Sequence, residues 1–178
     1  MSEPVRRTAI TLMVDEAAPA VAAARAELDP VGARRVGLHI TLLHPFVPRD
    51  EVTPALVARL RSFFAARRLS EFVLARVEEF PNVVAYVAPE PDAELIELTR
   101  AVWAEFPDLP PYNGSVDEPV PHATIVSYGR VDLGLEQIRA RVGPALPARC
   151  APEAASLLEE YAADLWRELE PLPFGVVA

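Results

Sequence analysis

Lysine is absent from the 178-residue chain, cysteine occurs once, and no apolar run is long. All 17 basic residues are arginine, a usage that reflects the coding composition of a GC-rich genome before it reflects selection for phosphate. The lone thiol, Cys150, excludes an internal disulfide framework and any zinc site built on several thiolates, and it implies a reducing compartment. No base stands near it in sequence, so it is expected to be inert. No segment approaches the ~20 apolar residues that a membrane helix needs. The run from Ala9 to Val14, behind Arg6 and Arg7, stops at Asp15 and Glu16 and is too short for a signal peptide, so the expected location is cytoplasmic. Positive charge is also in short supply. A net charge of −9 excludes a general nucleic-acid coat and an anionic membrane as partners, and no extensive nucleic-acid-binding surface is expected; small or terminal substrates stay open. Nothing specifies an oligomer, and a monomer is the expectation.

What the chain does have is apolar residues at 51 per cent, enough for a core without staples. Thr8 to Val14 reads as a first strand and alanine-rich Ala17 to Leu28 as a helix stopped by Asp29-Pro30. Val31 to Val36 reads as a loop leading to a strand from Gly37 to about Leu43, closed by Pro45 and Pro48. Thr53-Pro54 opens a helix to about Arg68. Phe72 to Phe80 and Val83 to Ala88 form a hairpin across Pro81-Asn82. Asp92 caps a helix through Leu95, Leu98, Val102 and Trp103, with Trp103 expected in the core. The proline-rich loop from Pro107 to Pro121 has the length of a functional loop. A strand from about His122 to Tyr128 and a helix from Leu133 to Val142 follow. The segment Glu153 to Leu169 is in conflict: its Ala, Leu and Glu favour helix, while its alternation favours strands.

Two short patterns carry chemistry, His39-Ile40-Thr41-Leu42 and His122-Ala123-Thr124-Ile125. Ser and Thr occupy only 12 of 178 positions, so the same hydroxyl spacing after two of three histidines is a signal. In an extended strand each His and its Thr share one face while the apolar neighbours face the core. The histidines are 83 residues apart, which suggests two similar halves that each donate one pair to a shared cleft. Imidazole gives or takes a proton near neutrality, and two of them can do both. Opening a cyclic phosphodiester needs a base to activate water and an acid to protonate the departing ribose oxygen. Each threonine hydroxyl can donate to a non-bridging phosphate oxygen.

With these motifs, and with Leu42-Leu43-His44-Pro45-Phe46 and Pro121 around them, the chain resembles the two-histidine phosphoesterases, often labelled 2'-5' RNA ligase-like or 2',3'-cyclic phosphodiesterases. The resemblance implies an α+β fold of 1–178 as one bilobal domain: two antiparallel sheets facing a central cleft, helices outside, a pseudo-twofold duplication. It implies that Glu153 to Tyr161 and Leu165 to Leu169 are strands. It implies a metal-independent, cofactor-free site in which His39 and His122 are general acid and base, in either order, and Thr41 and Thr124 hold phosphate. The substrate would be a 2',3'-cyclic phosphate at an RNA end or on a nucleotide, with weak reverse 2'-5' joining. Several members carry an arginine soon after the second motif, where Ser127 and Tyr128 stand here; Arg130 can take that part, or Phe46 and Tyr128 can stack on a base.

Rival readings are a binding module for nucleotides or RNA ends that uses the same cleft with little turnover, and a metal site of three histidines, which their spacing does not support. His44 fits a structural or rim role. Glu78-Glu79, Glu159-Glu160 and Glu168 with Glu170 read as solvated faces.

Overall fold

Strand-forming and helix-forming stretches alternate along the chain, and in the computed structural model, which describes residues 6–175, the strands collect into one sheet. In chain order they are β1 (Thr8–Met13), β2 (His39–Leu43), β3 (Phe72–Phe80), β4 (Val84–Glu90), β5 (Ala123–Ser127), β6 (Ala148–Cys150), β7 (Ala154–Ala162) and β8 (Leu165–Pro173). The helices are α1 (Pro19–Leu28), α2 (Pro30–Arg35), α3 (Pro54–Ala65), α4 (Ala93–Glu105) and α5 (Leu135–Val142). Across the sheet the order is β6-β3-β4-β5-β2-β1-β7-β8, with neighbours antiparallel throughout.

The sheet has two halves. Read outward from the middle they are β2-β1-β7-β8 and β5-β4-β3-β6, and they are joined at the single pair Ile40–Ala123. In each half a strand, an intervening helical segment and a motif strand follow in order: β1, α1 with α2, β2, and β4, α4, β5. The α+β class therefore holds, with its two antiparallel sheets continuous across one narrow seam. Ile10, Leu12, Ile40 and Leu42 from one half and Val87, Ala123 and Ile125 from the other enter a single buried cluster with Phe64, Leu95, Val102 and Ile138 of the helices. Each large side chain so buried contributes about 1.5–3 kcal/mol before the entropy of ordering it.

The tail folds as strands against its helical propensity, because β7 fills the place between β1 and β8 and buries Ala155, Leu157 and Leu158. Asp164, at φ 56°, turns the chain between β7 and β8.

Other boundaries differ from expectation for local reasons. Val31 to Val36 is no loop: Pro30 ends α1 and at the same time occupies the first position of α2, with Asp29 as its cap, accepting the Gly32 N–H at 2.9 Å. The third helix ends at Ala65, short of Arg68. Asp92 precedes α4 but makes no capping bond, while Glu94 takes up the Ser70 N–H and hydroxyl at 2.7 and 2.8 Å. Strand β6 has three residues, too few to leave a period in the sequence. Glu159 is not a solvated carboxylate: it is 3% exposed and takes Arg49 at 2.5 Å and Arg167 at 2.6 Å.

Candidate active-site cleft

Both motif histidines are held the same way. His39 opens β2, and His122 stands one residue before β5 begins. The Nδ1 of His39 lies 2.7 Å from the Gly37 carbonyl oxygen, and the Nδ1 of His122 lies 2.7 Å from that of Val120. A carbonyl only accepts, so Nδ1 carries the proton in each ring and Nε2 is left for chemistry. Gly37 lies close under two side-chain ends: a Cβ there would come within 2.5 Å of an Asp15 carboxylate oxygen and 2.8 Å of the Met13 methyl, so those ends would have to move aside. The ring of His122 is held edge-on by Phe80 at 5.0 Å and by Tyr86 at 5.3 Å.

The alternation expected of the motif strands is present. Ile40 and Leu42, and Ala123 and Ile125, are buried behind the strands, while His39, Thr41, His122 and Thr124 are partly exposed in front. Two adjoining cavities open there. One, of about 490 Å³, is bounded by His122, Phe80, Val84, Trp103 and Val120. The other, of about 310 Å³, is bounded by His39, His44, Trp166 and the arginines Arg7, Arg25, Arg35 and Arg130. Thr41, Thr124 and Tyr112 line both, so the two hydroxyls stand on the divide between them.

Burial pushes His39 down to about 4, helped by the positive charges of Arg25 and His122 and opposed by the Gly37 bond and Asp15. Burial also lowers His122, against the Val120 carbonyl bond. Both imidazoles are thus biased to the neutral form until an anion arrives. The Tyr112 hydroxyl, hydrogen-bonded to Thr41, is raised by burial. Tyr112 itself adopts φ 48°, ψ 40°, a left-handed conformation that a bulky side chain seldom takes, and its N–H donates to the His44 carbonyl at 2.7 Å.

Of the other candidates, Arg130 reaches the cleft. The chain turns after β5, with the Arg130 N–H donating to Ser127 at 2.9 Å, and its guanidinium pairs with the buried Asp29 at 2.6 Å. The same turn sends Tyr128 elsewhere: its hydroxyl donates to Glu79 at 2.6 Å, it lines neither cleft cavity, and burial with that bond pushes it up to about 12. Phe46 is also no stacking platform, being 4% exposed and packed edge-on against Phe106 at 5.0 Å. His44 sits at the cleft edge, 5.8 Å from the Trp166 ring and 6.1 Å from that of Tyr112. Trp103 packs against the core and also lines the larger cavity, with its indole N–H donating to the Leu42 carbonyl at 2.8 Å. Cys150 is fully buried, which raises its thiol to about 11, in keeping with an inert side chain.

Sequence reading missed Arg25, Tyr112 and Trp166. Tyr112 lies in the long loop flagged for its length; Arg25 had no local signal, because only the packing of α1 on the sheet brings it to His39. Among the described residues, no three His, Cys, Asp or Glu side chains converge as a metal site, and no helix is long and apolar enough to cross a membrane.

The family model of the 2'-5' RNA ligase superfamily matches residues 13–164. Among solved structures, TT0787 of Thermus thermophilus is similar with a TM-score of 0.63 and 19% identity, over 94% of this chain and 97% of that one. A structure described as a phosphoesterase gives 0.62 and 18%, over 97% and 99%. E. coli LigT complexed with 3'-AMP gives 0.58 and 18%, over 98% and 100%. At these identities the likeness is one of fold. No curated protein matches the chain by sequence.

Proposed function

Because the chain belongs to the 2'-5' RNA ligase superfamily, we propose that it is a metal-independent phosphodiesterase that opens 2',3'-cyclic phosphates of nucleotides or RNA ends. Each half of the sheet donates one His-x-Thr pair. One neutral imidazole takes a proton from water through Nε2 as the oxygen attacks phosphorus. The bond from phosphorus to one ribose oxygen breaks, and the other ring, as imidazolium, protonates that oxygen to leave a phosphomonoester. Thr41 and Thr124 donate to the non-bridging oxygens, where charge builds in the transition state.

The observation that carries this reading is the matched pair of Nδ1-to-carbonyl bonds at His39 and His122, which fixes the same tautomer on both sides of a divide lined by both threonines. One such bond would only satisfy a buried ring N–H; two alike, each with a threonine two residues on and beside a shared divide, suit an acid–base pair. Nucleotide-sized ligands are in keeping with the cavities, and solved structures of E. coli LigT hold 3'-AMP, NADP+ and phosphate.

The test is hydrolysis of 2',3'-cyclic nucleotides in EDTA. Wild type is expected to turn them over, and His39→Ala and His122→Ala are each expected to lower kcat about 10²–10⁴-fold. Hydrolysis untouched by either change, or abolished by EDTA, overturns the reading. Nucleotide binding that survives both changes, with no turnover in wild type, favours a binding module.

A further inference from the structure

The two cavities that meet at Thr41 and Thr124 have opposite chemistry. The one beside His122 is walled by Phe80, Val84, Trp103, Val116 and Val120, a mainly apolar lining of the kind that accepts an aromatic ring. The one beside His39 draws Arg7, Arg25, Arg35 and Arg130 to its lining, against Asp164 alone among acids. This occurs in a chain whose net charge is −9. Three of these cations are compensated: Arg7 by Glu160 at 2.7 Å, Arg35 by Asp164 at 3.3 Å, Arg130 by Asp29 at 2.6 Å.

Arg25 is not. It is 5% exposed, it donates to the carbonyls of Val36 and Gly32 at 2.8 and 3.1 Å, its Nε–H has no partner, and it makes no ion pair with any carboxylate of the described residues. Burial outweighs the help this cation receives from the two carbonyls and from the fields of Asp29 and Asp15, so an anion placed beside it is favoured.

Resting on the phosphodiesterase reading, we propose that the cavity beside His39 is a subsite for a second phosphate of the substrate, so that the preferred substrate is a nucleotide cyclic phosphate that also carries a 5'-phosphate. With the cyclic phosphate between the threonines, the ribose lies over the divide. Its C1' and C4' substituents flank the ring oxygen on one face and diverge along the C2'–C3' direction, which directs the base to the apolar cavity and the 5'-phosphate towards Arg25 and Arg35.

The experiment compares adenosine 2',3'-cyclic phosphate with the same compound bearing a 5'-phosphate, using the full chain. The expected kcat/KM is at least tenfold higher for the phosphorylated compound, through KM. Arg25→Gln, which removes the buried charge, and Arg35→Glu, a change on a half-exposed side chain, are both expected to bring that ratio to one or below. Equal kcat/KM for the two compounds in wild type, or a ratio that Arg35→Glu leaves intact, overturns the subsite while the phosphodiesterase reading stands. If Arg25→Gln does not fold, Arg35→Glu decides alone. If neither compound is hydrolysed, calorimetric titration with both separates the two claims. Tighter binding of the phosphorylated compound, lost in Arg35→Glu, upholds the subsite as the phosphodiesterase reading falls, and equal binding overturns both.

Discussion

An acid–base pair works when one imidazole is neutral and the other protonated, and the surroundings of the two rings set the pH at which that holds. Burial lowers His39 to about 4 and His122 below its ordinary value near 6.5. The singly protonated pair therefore prevails in the free protein on the acid side of pH 6.5 and declines as pH rises through the lowered value of His122. A bound phosphodiester is an anion, and it raises both rings by favouring their charged forms. The kcat/KM profile, which reports free protein, is thus expected to peak below pH 6.5, and the kcat profile to lie at higher pH. Steady-state rates from pH 4 to 9 check this; superimposed profiles, or kcat/KM still rising above pH 7.5, count against it. The two candidate rings were legible in the sequence because His-x-Thr repeats with a strand's alternation. Their environment was not, since Arg25 approaches His39 from α1, the Val120 carbonyl meets His122 only once the loop before β5 has folded, and Phe46, close behind the first motif in sequence, turns inward onto Phe106.

Between the elements, the seam of β2 and β5 sets the spacing of the two histidines. It consists of one residue pair, Ile40 with Ala123, and Ala123 is fully buried there while also paired with Val87 of β4. Adding three carbons at that point has no room to succeed without moving a strand. Ala123→Leu is expected to cost about 1–3 kcal/mol in urea unfolding. It is also expected to lower kcat by up to about 100-fold, the order produced by a 1 Å misplacement of catalytic groups. A destabilised protein with full kcat would show that the seam carries stability and not catalytic spacing. The elements themselves were readable where a period extends over several residues, as in β1, β3 and α5. They were obscured where one residue serves two elements, as Pro30 does for α1 and α2, or where an element is as short as β6. The tail was decided by the open edge of β1 that β7 covers, a tertiary cause that local propensity does not contain.

Across the whole molecule, four arginines line the smaller cavity of a chain whose net charge is −9, and for the proposed activity this arrangement is expected to separate substrates by length. A small nucleotide feels the arginines around the smaller cavity, whereas a long strand also meets the field of a chain at −9. That field extends ~30 Å at 0.01 M salt and ~8 Å at 0.15 M, so salt removes the long-range repulsion faster than the contact attraction in a partly enclosed pocket. An RNA of about 20 nucleotides ending in a 2',3'-cyclic phosphate is therefore expected to be hydrolysed with a lower kcat/KM than a mononucleotide at low salt. Raising salt over that range is expected to increase kcat/KM for the RNA and to decrease it for the mononucleotide. A nucleic-acid-coating protein behaves in the opposite way, losing affinity for long strands steeply with salt through counterion release. Parallel downward slopes for the two substrates, measured from 10 to 150 mM salt, would mean that long strands find a basic track, and that the cleft does not select for short ends.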